Sequence, residues 1–341
     1  MSRYSITEGK FGEHQTVILE DSLEGSRAEI ALRGATLISY QIKTRKRTVD
    51  IIDGYKTPQE LIEQSGARSC IMAPFSNRIE NGFYIFNDEQ HQMINPVDPK
   101  REVIHGYART IDFKLQEQTA GEDKAEVILF SDYIRRGSFP GYPYCIDLTV
   151  RFTLSGKKLE VEIAGKNVGV EDTPFGCGWH PYFKTGETGV DHLILEVPAR
   201  SFIEIDDRYL PLKGEAAYVS LENYPEISFP STNEKSKNII SGREINYCYT
   251  DLQPNSDGLI KTSITDEQEG LKVSVYQSEG VVYVYTGDEL KYRPRRSIAI
   301  EPVQYITNSF NRPELRKSIT LKQGDTKRFV FGVEHELKGK F

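Results

Sequence analysis

The sequence KLEVEIAG, at residues 158–165, begins with strict alternation of charged and apolar side chains. In an extended backbone Leu159, Val161 and Ile163 point to one side, and the charged residues between them point to the other. A period of two is typical of a strand that packs one face on a core and exposes the other. The stretch therefore predicts a half-buried β-strand.

The same alternation recurs in short segments elsewhere in the chain. It occurs in HLILEV at residues 192–197, in LKVSV at 271–275, and in VVYVY at 281–285 after a Ser-Glu-Gly turn. No repeat, low-complexity tract or Pro/Ser-rich linker divides the chain. Many short strands separated by turns favour an antiparallel sandwich or barrel.

Two local patterns predict particular elements. The apolar segment FYIF at residues 83–86 lies between the turn dipeptides Asn81-Gly82 and Asn87-Asp88, which indicates a hairpin. The clearest helix is TPQELIEQS at residues 57–65. It has Thr57 as a cap, Pro58 at the first helical position and Glu60 in a capping box, and we expect Gly66 to end it.

The bulk composition narrows the function classes. The 341 residues carry a net charge of −7 and no long basic run, so binding to nucleic acid or an anionic membrane is not expected. The N-terminus lacks an apolar signal-peptide region, and no apolar run is long enough to span a bilayer. We therefore expect a cytoplasmic protein.

Cofactor and metal motifs are also missing. The four cysteines are far apart and form no C-x-x-C pair, so we expect reduced, buried thiols. Cys177 and His180 have the spacing of metal ligands, but a second pair to complete a tetrahedral site is lacking. Gly176-x-Gly178 lacks the third glycine of a dinucleotide loop. We expect neither a metal nor a cofactor.

The stretch SIAIEPV at residues 297–303 contains a candidate catalytic carboxylate. Ser297 and Ala299 share a strand face with Glu301 and leave space beside its carboxylate, and we expect Pro302 to end the strand. A carboxylate at a strand end with small neighbours can act as a base. The alternative is a solvent-facing glutamate, or one paired with a nearby arginine: Arg293, Arg295 or Arg296.

Three further segments place polar residues in predicted turns or among apolar residues. His180 lies in FGCGWHPYF at residues 175–183, where it could be a packed core residue or an acid–base catalyst. His105 precedes a glycine, which allows the backbone to approach a ligand, although a satisfied core histidine is the alternative. Asn77 and Arg78 together form a planar fork suited to hydroxyl groups, unless Arg78 is an ordinary surface residue.

These segments together resemble the aldose 1-epimerase (galactose mutarotase-like) family. The resemblance spans about residues 75–310 and rests on motifs that are weak singly but occur in the family's order. They are SNRIENGFYIF at 76–86, VIHGY at 103–107, GWHPYF at 178–183, INYCYTD at 245–251, YVYTG at 283–287 and IAIEP at 298–302.

The resemblance implies a mostly β fold: one antiparallel β-supersandwich domain over residues 1–341, with few short helices. It implies a sugar-binding pocket, no cofactor, and an isomerase that interconverts the α and β anomers of a free aldose. In the family's pattern Glu301 matches the general base, His180 the general acid, and His105 a second active-site histidine. We further expect Trp179 and Phe183 to flank the imidazole of His180.

The substrate-binding residues follow from the same resemblance. Asn77 and Arg78 match the family's sugar-binding pair, and Tyr182 lies in its H-x-Y motif. Two positions depart from the pattern, because Asn246 stands where many members have Asp and Tyr283 where some have Gln. Both departures concern substrate binding, so the preferred sugar stays open while the reaction type is retained.

Three alternatives remain. A hexose-6-phosphate 1-epimerase would use Arg293 and Arg295 to bind the phosphate. This requires that the strand alternation continues backwards through Pro294, so that both arginines share the face of Glu301. A non-catalytic carbohydrate-binding protein could use the same scaffold, although it would not need a matched acid and base. A rarer aldose or an oligosaccharide end could replace the common hexose. The sequence is compatible with a monomer or a homodimer.

Overall fold

The computed structural model describes residues 2–95, 102–231 and 234–338. Its strands are, in chain order, β1 (Tyr4–Phe11), β2 (His14–Asp21), β3 (Ser26–Ala31), β4 (Thr36–Lys43), β5 (Thr48–Asp50), β6 (Cys70–Met72), β7 (Phe83–Phe86), β8 (Glu89–Gln92), β9 (Lys114–Ala120), β10 (Ala125–Ile134), β11 (Ile146–Ser155), β12 (Lys158–Asn167), β13 (Thr173–Pro174), β14 (Gly178–His180), β15 (Tyr182–Phe183), β16 (Ile194–Glu196), β17 (Ala199–Ile203), β18 (Tyr218–Ser220), β19 (Asn246–Leu252), β20 (Ile260–Asp266), β21 (Leu271–Gln277), β22 (Val281–Tyr285), β23 (Ile298–Val303), β24 (Thr320–Leu321) and β25 (Thr326–Leu337).

The helices in these residues are short. They are α1 (Pro58–Glu63), α2 (Arg316–Ile319) and the 3₁₀ turns Ser65–Ala67, Glu80–Gly82, Ala108–Thr110, Gly214–Ala217, Leu221–Asn223, Lys235–Asn238, Ser309–Asn311 and Pro313–Leu315. None of them is long and apolar enough to cross a membrane.

The strands form three large antiparallel sheets. One has five strands in chain order, β1 to β5. The second has eight in the order β16-β20-β21-β25-β12-β11-β10-β9, and the third follows β18-β17-β19-β22-β23-β14-β6, with β15 also paired to β23. The remaining small sheets are β13-β24 and the hairpin β7-β8. The prediction of a mostly β, antiparallel fold is confirmed.

The stretch at 158–165 lies inside the second sheet as part of β12, between β11 and β25. Leu159, Val161 and Ile163 are fully buried in the main core. On the opposite face the Glu162 carboxylate pairs with Arg151 and with Arg328 from the two neighbouring strands. The half-buried strand is therefore confirmed on both of its faces.

The two eight-stranded sheets meet through the core. β21 and β22 follow one another in the chain but belong to different sheets. The ring of Trp179 on β14 stacks on Phe331 of β25 at 5.6 Å between centroids, which joins the third sheet to the second. Phe183 packs in the same core. Both aromatic residues thus point away from the imidazole of His180, and the expectation that they flank it is wrong.

The predicted hairpin is confirmed. Phe86 of β7 lies opposite Glu89 of β8. The connecting residues Asn87 and Asp88 have φ values of 52° and 62°. Two consecutive positive φ angles match the right-handed twist of the strands, which is why Asn and Asp are favoured there.

The predicted helix forms but ends earlier than expected. Thr57 caps it by accepting a hydrogen bond from the Glu60 N–H. The last turn closes at Gln64, which is left-handed at φ 55° and whose side chain donates to the Leu61 carbonyl. Because Gln64 satisfies the end of the helix, Gly66 belongs to the next 3₁₀ turn instead.

The other alternating segments are also strands, with one change in length. Residues 271–275 lie in β21 and residues 281–285 form β22. Residues 192–197 contribute only β16, because the Leu193 N–H closes a turn on Val190 before the strand begins.

Pro302 does not end its strand as predicted. β23 extends beyond it, and Pro302 pairs with Val282 of β22. The N–H groups of Ile300 and Gln304 donate away from β22, to the chain segment around β14 and β15. The N–H that proline lacks would face the same side, so the ladder with β22 does not need it.

Candidate active site

His180 and Glu301 form a buried pair in the third sheet. β14 and β23 are neighbours, and the strand alternation sends Ile298 and Ile300 into the core while Glu301 faces the other side. The Nε2 atom of His180 lies 3.3 Å from Oε1 of Glu301. Both residues are only 5–6% exposed. Glu301 is thus not a solvent-facing glutamate, and Arg293, Arg295 and Arg296 pair with other carboxylates.

A strained turn brings His105 to this pair. His105 and Gly106 have φ values of 60° and 64°. A Cβ on Gly106 would lie 2.2 Å from the Ala73 carbonyl oxygen, so this close approach requires glycine. The imidazole of His105 packs edge-on against that of His180 at 5.0 Å, and its Nδ1 lies 2.9 Å from Sδ of Met72.

The Asn77-Arg78 fork is linked to the same turn. The Asn77 carbonyl accepts a hydrogen bond from the His105 N–H at 2.8 Å, and Arg78 forms a bridge with Ile104. An Arg78 guanidinium nitrogen donates to Oδ1 of Asn77 at 3.1 Å, while its Nε donates to Glu102. The two side chains are therefore held together in a defined orientation.

Tyr182 lies directly beside the acid–base pair. Its ring stacks on that of His180 at 5.1 Å between centroids, and the Arg68 guanidinium lies 4.9 Å from the centroid of the same ring. Arg68 is fixed in turn by a 2.5 Å bond to Asp53, which also accepts from Ser297 of the loop before β23. This buried network orients Tyr182 next to His180.

The two positions that depart from the family pattern differ in what they offer a ligand. Asn246, at the start of β19, is exposed. Tyr283 of β22 lies opposite Glu301. Its hydroxyl is bound to the Thr307 hydroxyl and accepts the Thr307 N–H, both at 2.7 Å. Tyr283 therefore forms part of the cavity wall, while its hydroxyl group is already hydrogen-bonded within the protein.

All eight residues predicted from the sequence line one cavity. Its smaller part, about 160 Å³, is bounded by Asn77, Arg78, His105, His180, Tyr182, Asn246, Tyr283 and Glu301, together with Ile104, Tyr209, Tyr285 and Glu289. A larger part of about 460 Å³ adjoins it, because Ile104, His105, His180, Tyr182 and Tyr285 line both. Sites for small molecules are about 300–1,000 Å³.

Several cavity residues were not predicted. Tyr285 shares the period-two face of Tyr283 and could have been found from that alternation. Tyr209, Gln64 and Arg109 lie in loops or short turns, where no periodicity indicates a direction. Only the folding of distant segments brings them to the site.

Burial sets the protonation of the acid–base pair. It raises the pKa of Glu301 from an ordinary 4.5 to about 8 and lowers the pKa of His180 from 6.5 to about 3. Burial, assisted by the nearby His180, also lowers the pKa of His105. Between these two pKa values burial favours the protonated carboxyl of Glu301 and the neutral imidazole of His180, so the pair holds one proton.

Cys177 lies apart from this cavity. Its Sγ donates to Oε1 of Gln304 at 3.3 Å within the core. Cys70, Cys177 and Cys248 are buried, Cys145 is partly exposed, and all four are free thiols. Within residues 2–95, 102–231 and 234–338, no group of three His, Cys, Asp or Glu side chains could hold a metal ion.

Arg293 and Arg295, the two arginines considered as phosphate ligands, bind other side chains. Arg293 donates to both carboxylate oxygens of Glu60, at 3.2 and 3.1 Å. Arg295 pairs with Asp191 and with Asp288. Neither borders the cavity. The strand phase does not extend back through Pro294, since β23 begins at Ile298.

Residues 15–334 match the model of a protein family described as aldose 1-epimerase. The chain belongs to the aldose 1-epimerase family. It is 27% identical over 269 residues to an uncharacterized protein, YihR, of Escherichia coli (strain K12), covering 79% of each chain. It is also 23% identical over 197 residues to a probable aldose 1-epimerase of Arthroderma benhamiae, covering 52% of this chain and 44% of that one.

Solved structures agree on the fold. The galactose 1-epimerase of Lactobacillus acidophilus NCFM superposes with a TM-score of 0.80 at 15% identity, covering 99% of this chain and all of that one. A GalM/aldose epimerase homologue from C. elegans superposes at 0.77 and 17% identity, covering 93% and 97%. The predicted galactose mutarotase-like architecture of this aldose 1-epimerase family member is therefore confirmed.

Proposed function

We propose that the protein is an aldose 1-epimerase that interconverts the α and β anomers of a free aldose, with Glu301 as the base and His180 as the acid. The observation that carries the proposal is the buried pair, whose reactive atoms are 3.3 Å apart and which borders a cavity with adjoining parts of about 160 and 460 Å³. Membership of the family supports the same reaction class.

The geometry suits the two oxygens of the anomeric carbon. The ring oxygen and the anomeric hydroxyl are both bonded to C1, so an acid and a base 3.3 Å apart can each contact one of them. The base removes the hydroxyl proton while the acid protonates the ring oxygen, and the C1–O5 bond breaks. The open aldehyde rotates about C1–C2 and closes on its other face, as the two groups exchange roles.

The proton count of the pair matches this reaction. Ring opening needs one group that can accept a proton and one that can donate it, and the pair holds one proton between about pH 3 and pH 8. Moving this proton from Glu301 to His180 creates the carboxylate base and the imidazolium acid. Sugar hydroxyl groups that donate to Glu301 stabilise that form. Each full turnover returns the pair to its starting state.

The remaining cavity residues orient the ring. Asn77 and Arg78 present fixed donors and acceptors, and the amide of Asn246 adds a neutral one. His105 and Tyr182 border the imidazole of His180. Holding the sugar with C1 against the pair converts a slow encounter into a local proton transfer.

The decisive experiment is a mutarotation assay on freshly dissolved anomers, over a panel of aldoses and their 6-phosphates. Glu301→Gln keeps the side-chain shape and removes the base, so kcat should fall by about 10²–10⁴-fold with sugar binding retained. His180→Asn should also lower kcat more than affinity. Unchanged catalysis in Glu301→Gln would refute its role as base.

The panel also separates the alternatives. Sugar binding without any rate enhancement in the wild type would favour a carbohydrate-binding protein. A preference for hexose 6-phosphates would favour the phosphate epimerase, although Arg293 and Arg295 already have carboxylate partners.

A further inference from the structure

Arg109 is a buried arginine at the wide end of the cavity. It follows the VIHGY segment and lies in the 3₁₀ turn Ala108–Thr110. Only 5% of the residue is exposed, and it lines the larger part of the cavity with His105, His180 and Tyr182. Its positive charge helps to lower the pKa values of both histidines, which places the guanidinium close to them.

The guanidinium of Arg109 has no partner among the residues that the structure describes. Its buried Nε lacks a hydrogen bond, and the side chain forms neither a hydrogen bond nor an ion pair with any residue in 2–95, 102–231 or 234–338. The two other arginines with similar burial are satisfied. Arg68 bonds to Asp53, and Arg312 bonds to Glu314 and to the carbonyls of two loop residues, Leu212 and Gly214.

A buried charge without a partner destabilises the folded protein unless a ligand supplies an opposite charge and hydrogen bonds. Charged groups taken out of water need an opposite charge and hydrogen bonds to offset their desolvation. Gln64 has a buried amide oxygen without a partner and lines the same part of the cavity. The unpaired guanidinium needs an acceptor from the ligand, whereas the amide oxygen of Gln64 needs a donor such as a sugar hydroxyl group. A planar guanidinium is suited above all to oxyanions.

We propose that the preferred substrate is an aldose with a singly charged anionic substituent, which Arg109 binds at the wide end of the cavity. This inference rests on the proposed function and names its substrate class. One unpaired guanidinium balances one negative charge. Glu63 and Glu102 border the same part of the cavity and disfavour a doubly charged phosphate.

The chemistry of the ring indicates where the anionic group is attached. If His180 protonates the ring oxygen, the carbon on the other side of that oxygen, C5, lies near His180. C5 carries the exocyclic C6, so a substituent at C6 extends from the His180 side of the ring. Arg109 lies on that side, since it shares the larger part of the cavity with His180, whereas Glu301 borders only the smaller part.

The test compares anomeric exchange, measured by NMR, for glucuronic acid, glucose 6-sulfate, glucose 6-phosphate and glucose. Glucose 6-sulfate and glucose 6-phosphate have nearly the same shape and differ in charge. We expect kcat/KM to be at least about tenfold higher for glucuronic acid or glucose 6-sulfate than for glucose and glucose 6-phosphate. A wild-type enzyme that prefers glucose overturns the inference, and one that prefers the 6-phosphate overturns its single-charge part.

Two variants test whether Arg109 causes the preference for anionic aldoses. In Arg109→Met the ratio of kcat/KM for the anionic over the neutral aldose should fall at least about tenfold. Arg328→Met is the matched control, because Arg328 is an exposed arginine paired with Glu162 on the second sheet, and its ratio should be unchanged. An unchanged ratio in Arg109→Met overturns the inference.

Thermal unfolding and binding keep the test independent of turnover. Arg109→Met should raise the Tm, since it removes an unpaired buried charge, while Arg312→Met should lower it, since Arg312 is fully paired. If no sugar is epimerised, the proposed function fails, and glucuronic acid binding by the wild type but not by Arg109→Met still supports the anion site. Equal binding by both proteins overturns it.

Discussion

At the scale of single residues, Glu301 and His180 behave as one titrating unit. Neither has its ordinary protonation, because burial favours the neutral form of both: it raises the pKa of one and lowers that of the other. In water at neutral pH a glutamate is a carboxylate, and a histidine is only partly protonated. In the cavity the two groups lie 3.3 Å apart and hold one proton, which suits a reaction that moves a proton and returns it.

This single proton predicts the pH dependence of activity. The singly protonated pair exists between about pH 3 and pH 8, so kcat/KM should be level near neutral pH and fall above about pH 8, as Glu301 loses the proton. Anomeric exchange at low substrate concentration, from pH 5 to pH 10, measures it. A rate that keeps rising through pH 8, after subtraction of the base-catalysed background, would contradict the assignment.

The same pKa shift predicts a pH-dependent stability. The folded protein keeps a proton on Glu301 that the unfolded chain releases above pH 4.5, so stability from this group is present at low pH and lost as pH rises to about 8. Relative to Glu301→Gln, the wild type should therefore lose about 2–4 kcal/mol of unfolding free energy between those pH values.

Urea unfolding of both proteins at pH 4.5 and pH 8 measures this difference, and the titrating groups outside the Glu301–His180 pair cancel because the two chains share them. A constant difference between the wild type and Glu301→Gln would show that Glu301 has an ordinary pKa in the folded state.

At the scale of elements, the turn at His105 depends on one glycine. Gly106→Ala would place a Cβ 2.2 Å from the Ala73 carbonyl oxygen at a φ of 64°. We expect it to lower the unfolding free energy by at least about 2 kcal/mol and to displace His105 from His180, with a loss of mutarotation. The measurements are urea unfolding and the exchange assay.

Gly121→Ala provides the matched control. A Cβ on Gly121 meets no atom within 4 Å, and its φ is not in the left-handed region. This variant should keep the stability and activity of the wild type. If Gly106→Ala behaves in the same way, the close approach to Ala73 is not what positions His105.

At the scale of the whole molecule, the short strand β14 contacts both the core and the cavity. Trp179 stacks on Phe331 and joins the two eight-stranded sheets, while the next residue, His180, faces Glu301 on the other side. Of these two neighbouring residues on one strand, Trp179 packs in the core and His180 has the proposed catalytic role.

Paired substitutions test this division. Trp179→Leu should cost about 2–4 kcal/mol of unfolding free energy, because it leaves a gap between the sheets. His180→Asn should change stability by no more than about 1 kcal/mol and abolish most of the activity. Chemical unfolding and mutarotation of the two variants measure both effects. A large stability loss in His180→Asn would indicate that the imidazole is mainly a structural residue.

The sequence predicted those parts of the fold and site that depend on local patterns. Alternation identified the strands, and the Asn87-Asp88 dipeptide identified the hairpin, because backbone conformation and turn chemistry act over a few residues. Local patterns failed at Gly66, Pro302 and Trp179, where a side-chain cap, the far side of a ladder and a second sheet decided the outcome. The single-domain boundary, the oligomeric state and the sugar itself remain predictions.

The sequence by itself determined the mostly β architecture and the order of the polar segments that resemble the family, because both are written in residues close together in the chain. Only the tertiary structure decided that eight residues from six separate segments line one cavity, since long-range packing brings their segments together. It also decided that burial raises the pKa of Glu301 and lowers that of His180, and that Arg109 has no partner among the described residues. Those properties come from burial and from which side chains lie nearby, which no short stretch of sequence contains.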